Sequence, residues 1–424
     1  MRSTCWEKEN LNRLVQTAGH DLLPWKTAQL DYFIQHGFPT VHQEDWKYTD
    51  VTALTRQSFR MNEKLTVDVD KLQNHFFTFD AYRLVFVNGY FSDTLSSFGS
   101  DQNCIRITLF NQARSDFLLS RLKKSAVTPN SSFSALNNAL FQDGVLIDVA
   151  EKAALSKPIH IVHLQSQHPS SQMSHVKYFI ALSPHSQATV IEDYIGFDQA
   201  VYFNNVSTDV DVQSNAILHH YRLQRESHRA FHIAHTNIYL AQNSVVNTYH
   251  VATGSALMRH HLHYHFQEKN AAGHLFGLYH GKEKQHLDMH TRIDHFASHG
   301  KSHQNYKGVM SEQSRAVFNG KIIVHPNAKK TNAHLDNRNL LLSPTAEIDT
   351  KPELEIYTDD VQCSHGATVG CLEEDALFYL QSRGIAIEKA RQMLIQSFVN
   401  EVLEAIPDEN MQSYIRSAVT QHGY

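Results

Sequence analysis

From about Gly144 to Gly370 the chain is an unbroken series of short apolar segments, and no helical periodicity separates them. The segments include GVLIDVA, KYFIALS, HLHYHF, AVFNGKIIV and LEIYT. Their centres fall about 15 residues apart, which is typical of strands joined by short turns. Because one coil of such a chain cannot bury its own apolar face, the pattern predicts a stacked solenoid. An up-and-down barrel or a propeller contains similar short strands and stays an alternative at this point.

The residues between the segments favour a parallel β-helix. Tight two-residue hairpin signals are few in this region, and asparagine recurs beside the strands. Stacked coils would bring such residues into amide ladders, and the candidates are Asn319, Asn327, Asn332, Asn337 and Asn339. The residues alone leave a β-helix and a β-sandwich as alternatives.

The part of the chain before this series reads as helical and mixed. Apolar residues at helical spacing predict a first helix that stops near Gly19, and a second helix is predicted to end at Gly37. Residues 82–91 form an apolar run interrupted by Asn88-Gly89, which predicts a β-hairpin.

Helices are also predicted after the strands, over Glu373–Ser382 and Glu388–Ala405, with a third around Tyr414. Gly384 is expected to close the first of them. An open last coil exposes strand edges and core, so we expect this tail to cap the solenoid. The apolar stripe that would do so is Ala390, Leu394, Phe398 and Val402. The predicted domains are a helical and mixed segment over 1–140, a β-helix over 141–371 and a helical segment over 372–424.

Composition excludes several classes of protein. A chain of 424 residues is too long for one ordinary core, and a net charge of −5 does not suit a nucleic-acid binder. There is no apolar run of about 18 residues, so we expect neither a membrane span nor a signal peptide. Four scattered cysteines predict free thiols in a reducing cytosol, and they are Cys5, Cys104, Cys363 and Cys371.

Histidine is over-represented, with 30 residues. The run HHLHYH places His261, His263 and His265 on one face of a strand, because side chains alternate along a strand. We interpret such histidines as ladders along the sheets or as solvent-facing residues. The alternative is a histidine-rich metal-binding protein, whose sites would need ligands from neighbouring strands.

Candidate chemistry is concentrated in the segment EIYTDDVQCSHGATVG, Glu355 to Gly370. Cys363 and His365 lie two residues apart and so project to the same face of a strand. Thiolate and imidazole are ligands for iron or zinc, whereas a buried free cysteine beside a solvated histidine is the alternative. The nearby Asp359 and Asp360 are more typical of a solvated turn than of a catalytic pair.

Known catalytic motifs are missing from the sequence. The stretch Gly300-Lys301-Ser302 lacks the upstream glycine of a phosphate loop, and no G-x-S-x-G elbow occurs. We therefore expect no ATPase activity of this chain, so that any ATP hydrolysis takes place in another protein. No set of four cysteines can hold a cluster within this chain, so a transient cluster would need ligands from a second subunit.

The segment CSHGATVG, together with HTRIDH (His290 to His295), SHQNYKGV (Ser302 to Val309) and EDWKYTDV (Glu44 to Val51), resembles the SufB/SufD family of iron–sulfur cluster assembly scaffold proteins. The resemblance extends over essentially the whole chain and is nearest to the SufD branch. The sister branch keeps a cysteine in the stretch where this chain has Asn337 and Asn339. The resemblance implies a right-handed parallel β-helix and decides between the alternatives above.

The resemblance also implies a non-catalytic scaffold in the cytoplasm, with a SufB-like paralogue and a SufC-like ABC ATPase as partners and a homodimer possible when alone. It places His365, and less directly Cys363, at the contact with the paralogue, where a transient cluster is shared. It places the ATPase on the C-terminal helices. Exposed residues at their junction, Arg383, Glu388 and Arg391, are the docking candidates. The competing function is a β-helix enzyme acting on polysaccharide, which would carry its carboxylates in a groove along the solenoid.

Overall fold

The structure is a computed structural model that describes residues 5–16, 22–62, 64, 79–99, 103–125, 131–166, 168, 170–197 and 199–423. The N-terminal elements are α1 (Lys8–Val15), α2 (Leu23–His36), a 3-10 turn (Glu44–Trp46), α3 (Thr52–Arg56), β1 (Arg60–Met61), β2 (Tyr82–Val87), β3 (Tyr90–Phe91), β4 (Ile105–Leu109), α4 (Ser115–Ser125) and α5 (Ser132–Leu140). The predicted helix stop at Gly19 lies outside the described residues. The helix ending at Gly37 and the hairpin at Asn88-Gly89 are confirmed.

The strands that follow alternate between two parallel sheets. The odd sheet contains β5 (Asp143–Val149), β7 (Gln172–Leu182), β9 (Tyr202–Val212), β11 (Phe231–Leu240), β13 (Leu257–Phe266), β15 (His286–His295), β17 (Arg315–Val324) and β19 (Glu347–Ile356). The even sheet contains β6 (Ile159–Gln165), β8 (Gln187–Gly196), β10 (Ile217–Arg225), β12 (Val245–Ala252), β14 (Ala272–Gly281), β16 (Lys301–Met310), β18 (Thr331–Leu341) and β20 (Val361–Gly370).

Consecutive coils stack in register, which makes the core a parallel β-solenoid of about eight turns. Leu257 pairs with His286, which pairs with Arg315, which pairs with Glu347. Alternate side chains of both sheets point inward and form one continuous apolar cluster. The prediction of a solenoid is therefore confirmed, and the barrel, propeller and sandwich are excluded. The division into three domains stays a prediction.

Turns on one side of the solenoid carry an asparagine ladder. Asn215, Asn243 and Asn270 all have positive φ angles, of 61°, 56° and 63°, a conformation that asparagine tolerates better than most residues. The Asn243 amide donates to Asn215 Oδ1 at 2.9 Å, and the Asn270 amide donates to Asn243 Oδ1 at 3.0 Å. None of the five predicted asparagines belongs to this ladder. The ladder forms at turn positions with a positive φ angle, a conformation that favours asparagine.

The N-terminal helices cover the outer face of the odd sheet. Trp46 of the EDWKYTDV segment lies beneath the Arg259 guanidinium, 3.7 Å from the ring centroid. Arg259 donates to Asp288 at 2.5 Å, and Thr49 donates to the same carboxylate at 2.5 Å. These contacts fasten the segment to β13 and β15, which explains why it forms a fixed part of the fold.

The C-terminal helices are α6 (Glu374–Ser382), α7 (Ile387–Leu403) and α8 (Glu409–Gly423). The prediction that they cap the last coil is wrong, because α7 and α8 pack along the outer face of the even sheet. That face carries outward apolar residues such as Leu278, Val309 and Leu340, whose burial is more favourable against a helix than against water. The predicted stop at Gly384 is confirmed by its φ of 85°.

Two residues of the predicted stripe, Ala390 and Val402, are buried in this contact. Leu394 and Phe398 are only partly buried, and Ile395 and Val399 face the sheet instead.

Within the described part of the chain, no helix is both long enough and apolar enough to cross a membrane.

Candidate functional site at the open end of the solenoid

The last coil, formed by β19 and β20, ends both sheets. Among the described residues, β19 pairs only with β17 and β20 pairs only with β18. Cys363 lies beside Ala333 and His365 lies beside Leu335, and both of these neighbours belong to the solenoid core. The side chains of Cys363 and His365 therefore point along the interior face of the last coil, on one side of the strand as predicted.

Cys363 and His365 differ in their surroundings. Cys363 is partly buried against the core, and burial raises the pKa of its thiol. His365 is exposed, because no further coil covers it. A metal or a partner group that binds Cys363 as thiolate must therefore displace a proton that the isolated chain holds firmly.

The two aspartates before the strand lie apart from this pair. Asp359 and Asp360 are exposed in the turn, and the Asp360 carbonyl accepts a hydrogen bond from the Lys330 backbone N–H. This agrees with the interpretation of a solvated turn. Over the described ranges, no group of three histidines, cysteines or carboxylates is arranged to hold a metal ion.

A buried polar network lies directly beneath the last coil. Asn337 donates to Tyr279 Oη at 3.0 Å, and Asn339 donates to Asn337 Oδ1 at 2.7 Å. Thr350 of β19 donates to the same oxygen at 2.8 Å. The network joins β18 to β19 through their inward side chains. The sequence pointed to Asn337 and Asn339 but not to their tyrosine and threonine partners, which lie on other strands.

The predicted histidine ladders are present on the outer face of the odd sheet. His235 stacks on His261 with ring centroids 4.7 Å apart, and His290 follows at 5.2 Å. The Arg259 Nε donates to His261 Nε2 at 2.7 Å, which leaves the proton of this neutral imidazole on Nδ1. While Nδ1 of His261 carries the proton, it cannot ligate a metal. His261 is therefore held by a hydrogen bond and by ring stacking.

Inside the solenoid, buried histidines form a hydrogen-bonded chain that the sequence did not predict. Arg222 donates to His232 Nε2 at 2.5 Å and to His250 Nε2 at 3.1 Å. The opposite nitrogen of His232 lies 2.7 Å from the Glu226 carboxylate, and that of His250 donates to His260 at 3.0 Å. The His250 imidazole is thus both donor and acceptor. The only signal was that Arg222, His232 and His250 each lie between two apolar residues, along β10, β11 and β12.

The junction of α6 and α7 is the second exposed feature. Arg383, Glu388 and Arg391 are all solvent-exposed there, as a docking surface requires. Phe378 and Tyr379 of α6 are 73% and 57% exposed, and the Arg383 guanidinium lies 5.4 Å from the Tyr379 ring centroid. Two aromatic rings this exposed mark an interaction surface more strongly than the charges do. Sequence reasoning named the charged residues and missed these rings.

An ion-pair cluster fastens α7 to the even sheet near its open end. Lys307 of β16 is buried, and its ammonium group donates to the Phe398 carbonyl at 2.9 Å and to the Glu401 carboxylate. Arg338 of β18 donates to Glu401 at 3.3 Å. Since β18 pairs with β20, this cluster joins the helix to the strands that hold Cys363.

The fold and this site define a class: a parallel β-solenoid protein with an uncovered last coil and with helices along one sheet. The family described as SUF system FeS cluster assembly, SufBD core domain, matches residues 163–398, and the SufBD protein N-terminal region matches residues 8–161. The chain belongs to the SufBD family of iron–sulfur cluster assembly proteins.

Individual relatives agree with this assignment. An iron–sulfur cluster assembly SufBD family protein of Synechocystis is 34% identical over 90% of this chain and 87% of its own length. The iron–sulfur cluster assembly protein SufD of Escherichia coli is 30% identical over 97% of this chain and 95% of its own. SufD of Bacillus subtilis is 27% identical over 70% of this chain and 68% of its own. This membership favours an assembly protein over a polysaccharide-acting enzyme or a metal store.

Proposed function

We propose that this chain is a non-catalytic scaffold subunit of a SUF-type assembly complex in the cytosol, with a SufB-like paralogue and a SufC-like ABC ATPase as partners. The observation that carries the proposal is the uncovered last coil, which turns a cysteine and a histidine inward at the point where the solenoid stops. Co-expression with both candidate partners, followed by affinity purification and mass spectrometry, tests it directly. Recovery of the chain without either partner would overturn it.

The uncovered coil supports a second subunit at this end. Ile356 and Val369 are 42% and 46% exposed, although their register places both on the interior face of the solenoid. Open strand edges next to exposed core residues promote aggregation unless something covers them. The paralogue provides that cover in the complex, and a second copy of this chain provides it when the paralogue is missing.

Cys363 and His365 would supply two ligands of a transient cluster, and the paralogue would supply the others. Thiolate and imidazole both suit iron. Burial raises the pKa of the Cys363 thiol, so binding of Cys363 as thiolate releases a proton. The cluster is thus a product that passes through the interface and is not stably held by this chain alone.

The ATPase is proposed to dock at the junction of α6 and α7, where Phe378 and Tyr379 offer apolar contact and Arg383, Glu388 and Arg391 form a charged rim. A movement of α7 would reach β16 and β18 through the Lys307–Glu401–Arg338 cluster. Nucleotide-driven closure of an ATPase pair could then bias the contact between the two scaffolds.

Replacing His365 with alanine is expected to impair cluster maturation while changing the free energy of unfolding by no more than about 0.5 kcal/mol. The histidine is exposed, so its removal costs little packing, but it deletes one of the two inward ligands. The measurement is growth under iron limitation in cells that lack the parallel cluster pathway. The matched control is His42→Ala, an exposed histidine in the N-terminal segment. Equal growth of H365A and wild type would show that His365 is not needed for cluster maturation.

Replacing Arg383 with glutamate is expected to weaken binding of the ATPase about tenfold, because reversing a rim charge changes association without disturbing the core. Calorimetric titration of the ATPase into each variant measures the effect. Arg229→Glu, at an exposed turn far from α6, is the control for a general change in charge. Circular dichroism and melting should be unchanged in both. If R383E and R229E bind equally well, the junction is not the docking surface.

A further inference from the structure

A second row of histidines lies on the outer face of the even sheet. His274 of β14 lies beside His303 of β16, and His303 lies beside His334 of β18. The residues that follow on the same strands, such as Leu275 and Leu335, belong to the core, so the imidazoles face outward. Because neighbouring strands lie about 4.8 Å apart, the three rings stand side by side on three successive coils, next to the part of the sheet that α7 and α8 cover.

These imidazoles have nitrogens that are free to bind a ligand. All three side chains are only partly buried, and neither nitrogen of His274 or His303 makes a hydrogen bond to a described residue. His334 contacts Ser364 Oγ through Nδ1 at 2.7 Å, which leaves its Nε2 free. Burial lowers the pKa of His274 and of His303, so both rings are neutral at pH 7 and offer a lone pair.

The charges next to the row do not exclude a cation. Lys301 lies two residues before His303 on the same face of β16 and is exposed. On the other side, the charge of Asp336 opposes the lowering of the His303 pKa by burial. Asp336 lies 2.8 Å from the Arg338 Nε and is held there as an ion pair. A bound ion would therefore have one positive and one negative group beside it.

One pair in the row is close enough to share an ion. The His303 and His334 rings are stacked, with centroids 5.3 Å apart and an angle of 15° between their planes. Two metal–nitrogen bonds of about 2.1 Å require the two nitrogens to lie within about 4 Å of each other. Because both rings are partly exposed, a small rotation about their side-chain bonds brings the nitrogens to this distance. Among the described residues no set of three ligands holds an ion, so water would fill the remaining positions.

We propose that the outer face of the even sheet carries a labile site for one divalent transition-metal ion, bound by His303 and His334. Neutral imidazole suits zinc, copper, nickel and iron, whereas calcium and magnesium take oxygen ligands. An ion with two protein ligands and several waters exchanges readily. The site is separate from the pair at the open end, because Ser364 faces outward whereas Cys363 and His365 on either side of it face inward.

Calorimetric titration of Zn²⁺ into the full-length chain, purified without a histidine tag, tests the proposal. The double variant H303Q and H334Q is expected to bind zinc at least about tenfold more weakly than wild type, because both protein ligands are removed. An excess of Mg²⁺ should leave zinc binding unchanged, since magnesium prefers oxygen ligands. Equal zinc affinity of the double variant and wild type would overturn the proposal.

Two control variants locate the site. The matched control, H42Q with H299N, removes two exposed histidines that are not neighbours, and it should keep the zinc affinity within about twofold. An equal loss in this control would show that zinc binds surface histidines at random, which contradicts a defined site. The second control, C363S with H365A, removes the inward pair and should also keep zinc binding. Loss of binding in this control alone would assign the ion to the open end and overturn the proposal.

Modification of histidines by diethyl pyrocarbonate, mapped by mass spectrometry on the wild-type chain, keeps the proposal testable if H303Q with H334Q does not fold. Zn²⁺ should slow the modification of His303 and His334, because a nitrogen that binds the ion cannot react. The exposed His42 and His299 should react at their metal-free rates. Equal protection of all four histidines, or no protection of His303 and His334, would refute the site.

Discussion

Lowering the pH from 7 to 5 is expected to remove most of the free energy of unfolding of this protein. Burial lowers the pKa of His163 to about 4 and those of His175, His265 and His295 to about 3. In the unfolded chain these imidazoles take up protons below about pH 6.5, whereas in the folded chain they stay neutral until pH 3–4. Proton uptake therefore favours the unfolded state, and stability falls as the pH falls.

The size of this effect follows from the number of groups. Four imidazoles at about 1.4 kcal/mol each give a slope of about 5 kcal/mol per pH unit once the pH is well below 6.5. Since domains are stable by only about 5–15 kcal/mol, we expect acid unfolding near about pH 5. Paired carboxylates act in the same direction at lower pH: partners hold the pKa of Asp193 and of Glu226 at about 2, and that stabilisation is lost below about pH 4.

Urea unfolding at a series of pH values, followed by circular dichroism and tryptophan fluorescence, measures the slope. His175→Leu should reduce it by about one quarter, because this imidazole is fully buried and neither of its ring nitrogens has a hydrogen-bond partner in the described part of the chain. The matched control is His42→Gln, at an exposed position. A slope that is flat between pH 7 and 5 would contradict the neutral, buried state of these histidines.

The residues predicted the repeating strands, and the resemblance to the SufB/SufD family decided for a solenoid over a sandwich. Strand spacing, small polar breaks and the lack of helices indicated a solenoid, because these properties belong to single segments and to their immediate neighbours. The hairpin at Asn88-Gly89 was predictable for the same reason: two residues with positive φ angles, 54° and 85°, determine it locally. The shared face of Cys363 and His365 also follows from strand geometry alone.

The placement of the C-terminal helices could not be read from their own residues. An apolar stripe such as Ala390 to Val402 fits any apolar surface, and only the outward leucines and valines of the even strands decide between the side of the solenoid and its end. The interior histidine chain was missed because a buried histidine looks the same in sequence as a solvated one. Arg222 of β10 and His232 of β11 come from the two facing sheets, which meet only in the folded protein.

Replacing Arg222 with alanine is expected to destabilise the protein by about 3–5 kcal/mol, the usual cost of removing one member of a buried charged network. Arg222 is fully buried and lies over the Tyr194 ring, with 4.5 Å between guanidinium and ring centroid. It is a cation that lowers the pKa of the fully buried carboxylate Glu192. Without it, two imidazole nitrogens lose their donor, and Glu192 loses a permanent positive charge.

Arg222→Met separates the loss of charge from the loss of volume, because methionine fills much of the same space without a charge. We expect R222M to be destabilised nearly as much as R222A, since the Glu192 carboxylate stays buried in both variants. Arg229→Ala, at an exposed turn, is the control and should stay within about 0.5 kcal/mol of wild type. The measurement is the midpoint and slope of urea unfolding at pH 7.5.

The outcome of this comparison decides what the interior histidines do. If R222M is as stable as wild type, the chain of imidazoles contributes no net stability and the apolar cluster alone fixes the stacking of the coils. If R222M loses several kcal/mol and recovers part of it as the pH is lowered from 8 to 6, an imidazole has taken over the positive charge. Such an imidazole would have a pKa raised above its unfolded value, so its stabilisation would be present at low pH and lost as the pH rises. That sign is opposite to the acid lability of the wild-type chain, and one pH series on both proteins distinguishes the two.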